Sequence, residues 1–187
     1  MIHLVTFVIC SLFSFLSNEA YNLLSSDLST LQYPQADCPR NSPEPAVDST
    51  AYLNWHFKLL EPYHALESMT LKNGSDLKIH HLGCENYILK YQFESEHSAQ
   101  YRDSILGFYQ KAVFFLKEMS SNNISAIDME AAVKAINLYI NSDGKKIMAK
   151  QINFEDSEIP HFLYLGLKET NYTKPPVLEI TFNIGPL

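Results

Sequence analysis

The chain is short of several things that would disclose a function at once. It has six glycines, three cysteines and one tryptophan among 187 residues. Charged residues make up 19%, against about 25% of a typical domain. No glycine-rich phosphate loop is present, which counts against a nucleotide site at a helix N-terminus. No GxSxG, HExxH or CxxC spacing occurs, so a serine-hydrolase elbow, a zinc-protease helix and a thioredoxin-type redox pair have no support. The net charge is −7. A nucleic-acid binder needs a basic face to neutralise phosphates, and this composition argues against one. The apolar fraction of 46% excludes the low-hydrophobicity, high-charge balance of a disordered chain. The length favours one domain.

The first twenty residues differ from the rest. From Leu4 to Leu16 there are 13 residues without a charge, most of them aliphatic or aromatic. A spanning helix needs about 20 apolar residues, so no stable membrane anchor is expected. An apolar region of about 7–15 residues followed by a small residue is the plan of a secretory signal. Ala20 would sit just before the cut. Residues 1–20 are therefore read as a signal peptide.

Cysteine usage agrees with export. Removing the leader removes Cys10 and leaves Cys38 and Cys84, an even pair, which in an exported chain reads as one disulfide. The alternative, a free Cys84 as nucleophile, would need a nearby histidine base, and a bridge would silence it.

Residues 21–50 read as an N-terminal arm. A short helical stretch from Tyr21 to Leu31 precedes Pro34, Pro39, Pro43 and Pro45. Proline at that density holds neither a helix nor a central strand, so this part should be extended, lying on the domain and tied down by Cys38.

Residues 51–187 read as a single α+β domain. Leu53–Leu59 alternates apolar with polar residues, the period of a half-buried strand, although Tyr52, Trp55 and Leu59 also fit helical spacing. Leu66–Leu71 and Leu77–His81 flank Asn73-Gly74, a strong hairpin signal. Tyr87–Phe93 alternates again. Residues 97–141 show helical spacing. Tyr101, Ile105, Phe108, Ala112, Leu116 and Met119 form one stripe. Ile127, Ala131, Val133, Ala135, Ile136 and Tyr139 give a second helix a broad apolar face, opened by Ser125 and Asp128 and closed by Asp143-Gly144. Strands are expected again at Lys145–Phe154, Phe162–Lys168 and Val177–Ile184. The order points to an antiparallel or mixed sheet of about six strands with a two-helix layer on one face. The helices should bury Phe108, Phe115 and Leu116.

Candidate chemistry is sparse. His80 and His81 are adjacent, and adjacent strand residues point to opposite faces, so they cannot chelate one metal. The remaining histidines after the leader, His56, His64, His97 and His161, show no ligand spacing. All are expected to be exposed or hydrogen-bonded. Glu94 with Glu96, and Glu155, Asp156 and Glu158, could supply a glycosidase pair only if two carboxylates converged about 5–10 Å apart; solvated loops are the expected setting. Three sequons, beginning at Asn73, Asn123 and Asn171, are no more than chance provides. No catalytic residue, metal or cofactor is expected.

What remains is a protein-binding reading. The chain after Ala20 is acidic, and eleven tyrosines all follow the leader; tyrosine favours interfaces. Two polar loops between strands are expected to meet a partner: Asn73-Gly74, and the Glu169–Lys174 loop. In the second, Tyr172 would be the aromatic anchor, Glu169 a steering charge and Asn171 a flanking contact. The expected partner is a basic protein, such as a hydrolase or toxin. The expected function is that of an exported, periplasmic or secreted binding module of the inhibitor or immunity type. A cell-envelope scaffold and a hydrolase with dispersed carboxylate and histidine residues are the competing readings.

Overall fold

The computed structural model describes residues 38–94, 104–143, 146–168 and 176–185. The leader, the first part of the arm, and Glu169, Asn171 and Tyr172 lie outside them. Seven strands make one antiparallel sheet: β1 Leu53–Glu61, β2 His64–Thr70, β3 Asp76–Leu82, β4 Tyr87–Glu94, β5 Ile152–Glu155, β6 His161–Lys168 and β7 Val177–Ile184. Two helices, α1 Ile105–Ser120 and α2 Met129–Asn141, separate β4 from β5. The strand order is β1-β2-β3-β4-β7-β6-β5. The last strand of the chain thus inserts beside β4, and the two strand groups share one sheet.

Period-two patterning explains which face the helices cover. In β7, Leu178, Ile180, Phe182 and Ile184 are buried while Glu179, Thr181 and Asn183 alternate outward. In β3 and β4 the inward set is Leu77, Ile79, His81, Leu89, Tyr91 and Phe93. Phe108, Phe115 and Leu116 of α1 are buried, as expected for helices packed on one shared sheet. Phe115 stacks on Phe93 with ring centroids 4.2 Å apart. Burying aromatic side chains of this size is among the larger apolar contributions a core receives.

Helix ends follow local chemistry. Ser104 accepts from Gly107 N at the start of α1 and Asp128 accepts from Ala131 N at the start of α2, each satisfying an amide that the helix leaves open. Ser125 stands outside α2, its hydroxyl donating to Asn123 Oδ1. Helix α2 ends at Asn141, before Asp143.

The α+β class and antiparallel sheet expected from the sequence hold, and three details refine them. The sheet has seven strands rather than about six. The stretch Lys145–Phe154 gives a strand only over Ile152–Glu155; Ala149 lies at φ 55° and donates its N–H to Leu165 O, which fixes a turn before the ladder begins. Leu53–Leu59 forms a strand and not a helix, but no residue of β1 is buried. That strand is an edge, with register shifts near both ends, which discourages indiscriminate pairing.

Candidate functional site

The described part of the proline-rich arm, residues 38–50, is clamped to the domain at both of its ends. Cys38 is disulfide-bonded to Cys84 in the β3–β4 turn. Arg40 Nη1 donates to Leu82 O at 2.5 Å and its guanidinium lies 4.4 Å from the centre of the Tyr87 ring. Burial lowers the Arg40 pKa, and the Tyr87 hydroxyl opposes the shift. Farther along, Ile124 N donates to Ala46 O and Asp48 N to Asn122 O, both at 2.9 Å. The arm thereby runs from the β3–β4 turn to the α1–α2 connection. A bridge of this kind is what an oxidising compartment permits. Beside the arm is an open cleft of about 410 Å³ lined by Arg40, Pro43, Glu44, Tyr87 and Ser125, among others.

Under the arm lies a polar group that sequence reasoning missed. Glu67 and His81 are both 0% exposed. Glu67 Oε1 accepts from Ala46 N at 3.0 Å, and Oε2 stands 3.5 Å from His81 Nε2. Neither His81 nitrogen has a hydrogen-bond partner. The expectation that every histidine is exposed or hydrogen-bonded therefore fails at His81. The alternation of β3 turns it inward with Leu77 and Ile79, while His80 points to the other face. The Tyr91 hydroxyl is also fully buried without a partner, and its pKa is raised well above the usual value, chiefly by burial. The group is sealed from solvent, so its chemistry is that of a clamp: a carboxylate holding an arm amide. The Ala65↔His81 and Glu67↔Ile79 register makes the two residues diagonal neighbours, and that register was not readable from either strand alone.

Of the sequence-predicted loop residues, Asn73 and Gly74 are described, and they fall at the opposite end of the sheet from the disulfide. Asn73 and Gly74 are exposed in the β2–β3 turn. Asn73 Oδ1 accepts from Ser75 N at 2.9 Å and Nδ2 donates to Glu118 Oε2 at 3.1 Å, while Gly74 sits at φ 82°. The ends of β6 and β7 that flank residues 169–175 are at this same end of the sheet, because Thr70↔Asp76, Asp76↔Glu94, Phe93↔Leu178 and Lys168↔Val177 are aligned in register.

The outer face of the sheet carries a hydrogen-bonded row. His80 Nε2 lies 3.2 Å from Gln92 Oε1, and Gln92 Nε2 donates to Glu179 Oε1 at 2.6 Å. Lys78 pairs with Glu94. Among the described residues no group of three or more His, Cys, Asp or Glu converges to hold a metal, and no helix is long and apolar enough to cross a membrane.

The far edge differs from β1. Strand β5 pairs with β6, and among the described residues nothing pairs with its other side. Against that edge lies α2, leaving an open groove of about 550 Å³ lined by Ala131, Lys134, Ala135, Leu138, Asn153, Phe154, Glu155 and Asp156. Met129, Ala132, Val133 and Ile136 of α2 face the core. Ala131, Ala135 and Leu138 form a second stripe, at steps of four and three, that faces the groove. Ala131 and Ala135 also pack against the core, while Leu138 is 65% exposed. Comparison with family models, with curated proteins and with solved structures returns no match.

Proposed function

We propose that this chain is an exported protein-binding module, working in the periplasm or outside the cell against a basic partner. The inhibitor or immunity role against a hydrolase or toxin is the form of that reading the charge favours. The observation that carries it is the β5–α2 groove: a free backbone edge beside an apolar helix stripe, the setting in which sheets capture extended segments of other proteins. The pinned arm supports it further, since a rigid scaffold loses little freedom on binding. The acidic charge suits fast capture of a basic partner. The Asn73-Gly74 turn, with Glu169, Asn171 and Tyr172, is the second contact region in this reading.

The test is a pull-down from the native compartment with the full mature chain under oxidising conditions. It is followed by reconstitution of the captured protein in pure form. A one-to-one complex with a basic protein, weakening as salt rises, is the expected result. A captured protein that fails to rebind when purified, or that binds equally in high salt, overturns the reading.

A further inference from the structure

We infer that the groove between β5 and α2 takes an extended basic segment of the partner, added as an eighth strand on the free edge of β5. This rests on the protein-binding reading above and names the ligand class. Among the described residues, the backbone of β5 pairs with β6 on one side and with no strand on the other. A strand laid there would place every second side chain against Ala131, Ala135, Leu138 and Phe154. Leu138 is 65% exposed and lines the groove, so an added strand would cover it.

Charge selects among extended segments. Glu155 and Asp156 line the mouth at the C-terminal end of β5, and Glu158 is exposed in the turn that follows. Glu155 contacts His161. Among the described residues, the one cation lining the groove is Lys134, on the helix wall. A segment with small or branched apolar residues facing α2 and lysine or arginine near the β5–β6 turn meets both requirements. Strand β5 has four residues, which limits pairing to roughly 13 Å of an added strand and leaves specificity to the groove wall. Both edge strands carry register shifts against their neighbours; β1 is the longer edge, and β5 is the one with helix α2 packed beside it.

The probe is a fluorescein-labelled ten-residue peptide of alternating valine and lysine, titrated into the full mature chain at low salt. Two control peptides accompany it. One is methylated on alternate backbone nitrogens, which blocks strand pairing and keeps charge and apolarity. The other alternates valine with glutamate. The Val–Lys peptide is expected to bind and to slow hydrogen exchange at Ile152–Glu155. The methylated peptide is expected to bind about tenfold less well, the equivalent of about 1.4 kcal/mol. Leu138→Asn, at an exposed position, should weaken the Val–Lys peptide by a similar factor. Asp156→Lys should weaken it and strengthen the Val–Glu peptide. Equal binding of the plain and methylated peptides would reveal mere attraction to an acidic surface and overturn the assignment. So would exchange protection confined to the Asn73 turn. If the purified partner still binds the Leu138→Asn and Asp156→Lys variants at full strength, the groove is not the site and the binding-module reading survives. If neither peptide nor any purified partner binds the chain, both fall.

Discussion

Glu67 and His81 face each other diagonally across β2 and β3, with Oε2 and Nε2 3.5 Å apart and neither side chain exposed. The same carboxylate reaches the arm through Ala46 N. One buried residue therefore joins the sheet, the arm and an unpartnered imidazole. Removing the acceptor leaves the buried Ala46 N–H unsatisfied, which costs about 1–3 kcal/mol, and empties the space the side chain filled, so Glu67→Ala should lower the urea unfolding free energy by about 3 kcal/mol. Glu67→Gln keeps an oxygen for the Ala46 amide, and its loss should be about 1 kcal/mol. Equal losses for the two variants would show that the carboxylate does not hold the arm.

The disulfide acts on the same arm from the other side. Its cysteines are 46 residues apart, and loop-closure entropy assigns a bridge of that span roughly 4 kcal/mol. The Cys38→Ser/Cys84→Ser double variant should lose about that much stability. Because Ala46 and Asp48 are hydrogen-bonded independently, amide exchange should quicken at Arg40–Glu44 more than at Ala46–Asp48. Uniform quickening would mean that the bridge alone positions the arm.

Elements set by local pattern were legible, and elements set by pairing were not. Strand β7 was readable in full because Leu178, Ile180, Phe182 and Ile184 alternate without interruption and Pro175-Pro176 stops the pattern. The Asn73-Gly74 turn was readable because Gly74 supplies the positive φ. The neighbour of β7 was not, since Tyr91↔Ile180 joins residues 89 positions apart. The α2 stripe was seen as one broad face; only the placement of β5 divides it into core and groove. The Glu67–His81 pair was hidden for the same reason, because two unremarkable polar residues become a buried pair only once β2–β3 register is set.

His80 gives a pH test on the outer face. Burial lowers its pKa from the usual 6.5, helped by the neighbouring His64, Lys90 and Lys168 charges and opposed by the Gln92 contact. On the acid side of 6.5 the unfolded chain takes up this proton before the folded chain does. Stability should then fall as the pH drops from 6.5 through the lowered folded value, with no contribution from this group above 6.5. His80→Gln should flatten the slope of unfolding free energy against pH in that window. An unchanged slope would assign it to other titrating groups.

Two glycines make opposite predictions from their surroundings. Gly83 lies in the turn that carries Cys84, at φ 89°. A Cβ there would approach Asn86 O to 2.2 Å, a backbone atom that cannot step aside without moving the turn. Positive φ adds its own penalty for any side chain, since a non-glycine residue avoids that region. Gly166, in β6 beside Glu179, has nothing within 4 Å of where a Cβ would stand. There alanine restricts the unfolded chain more than the folded one, which stabilises by about 0.4–1 kcal/mol when the native backbone accepts it. Thermal unfolding should therefore place Gly166→Ala slightly above the parent and Gly83→Ala well below it, by about 2 kcal/mol or more. The Gly83 loss should persist in the Cys38→Ser/Cys84→Ser background, because the clash is with Asn86 and not with the bridge. If it disappears there, the strain belongs to the disulfide closure and the turn itself can accommodate the methyl group.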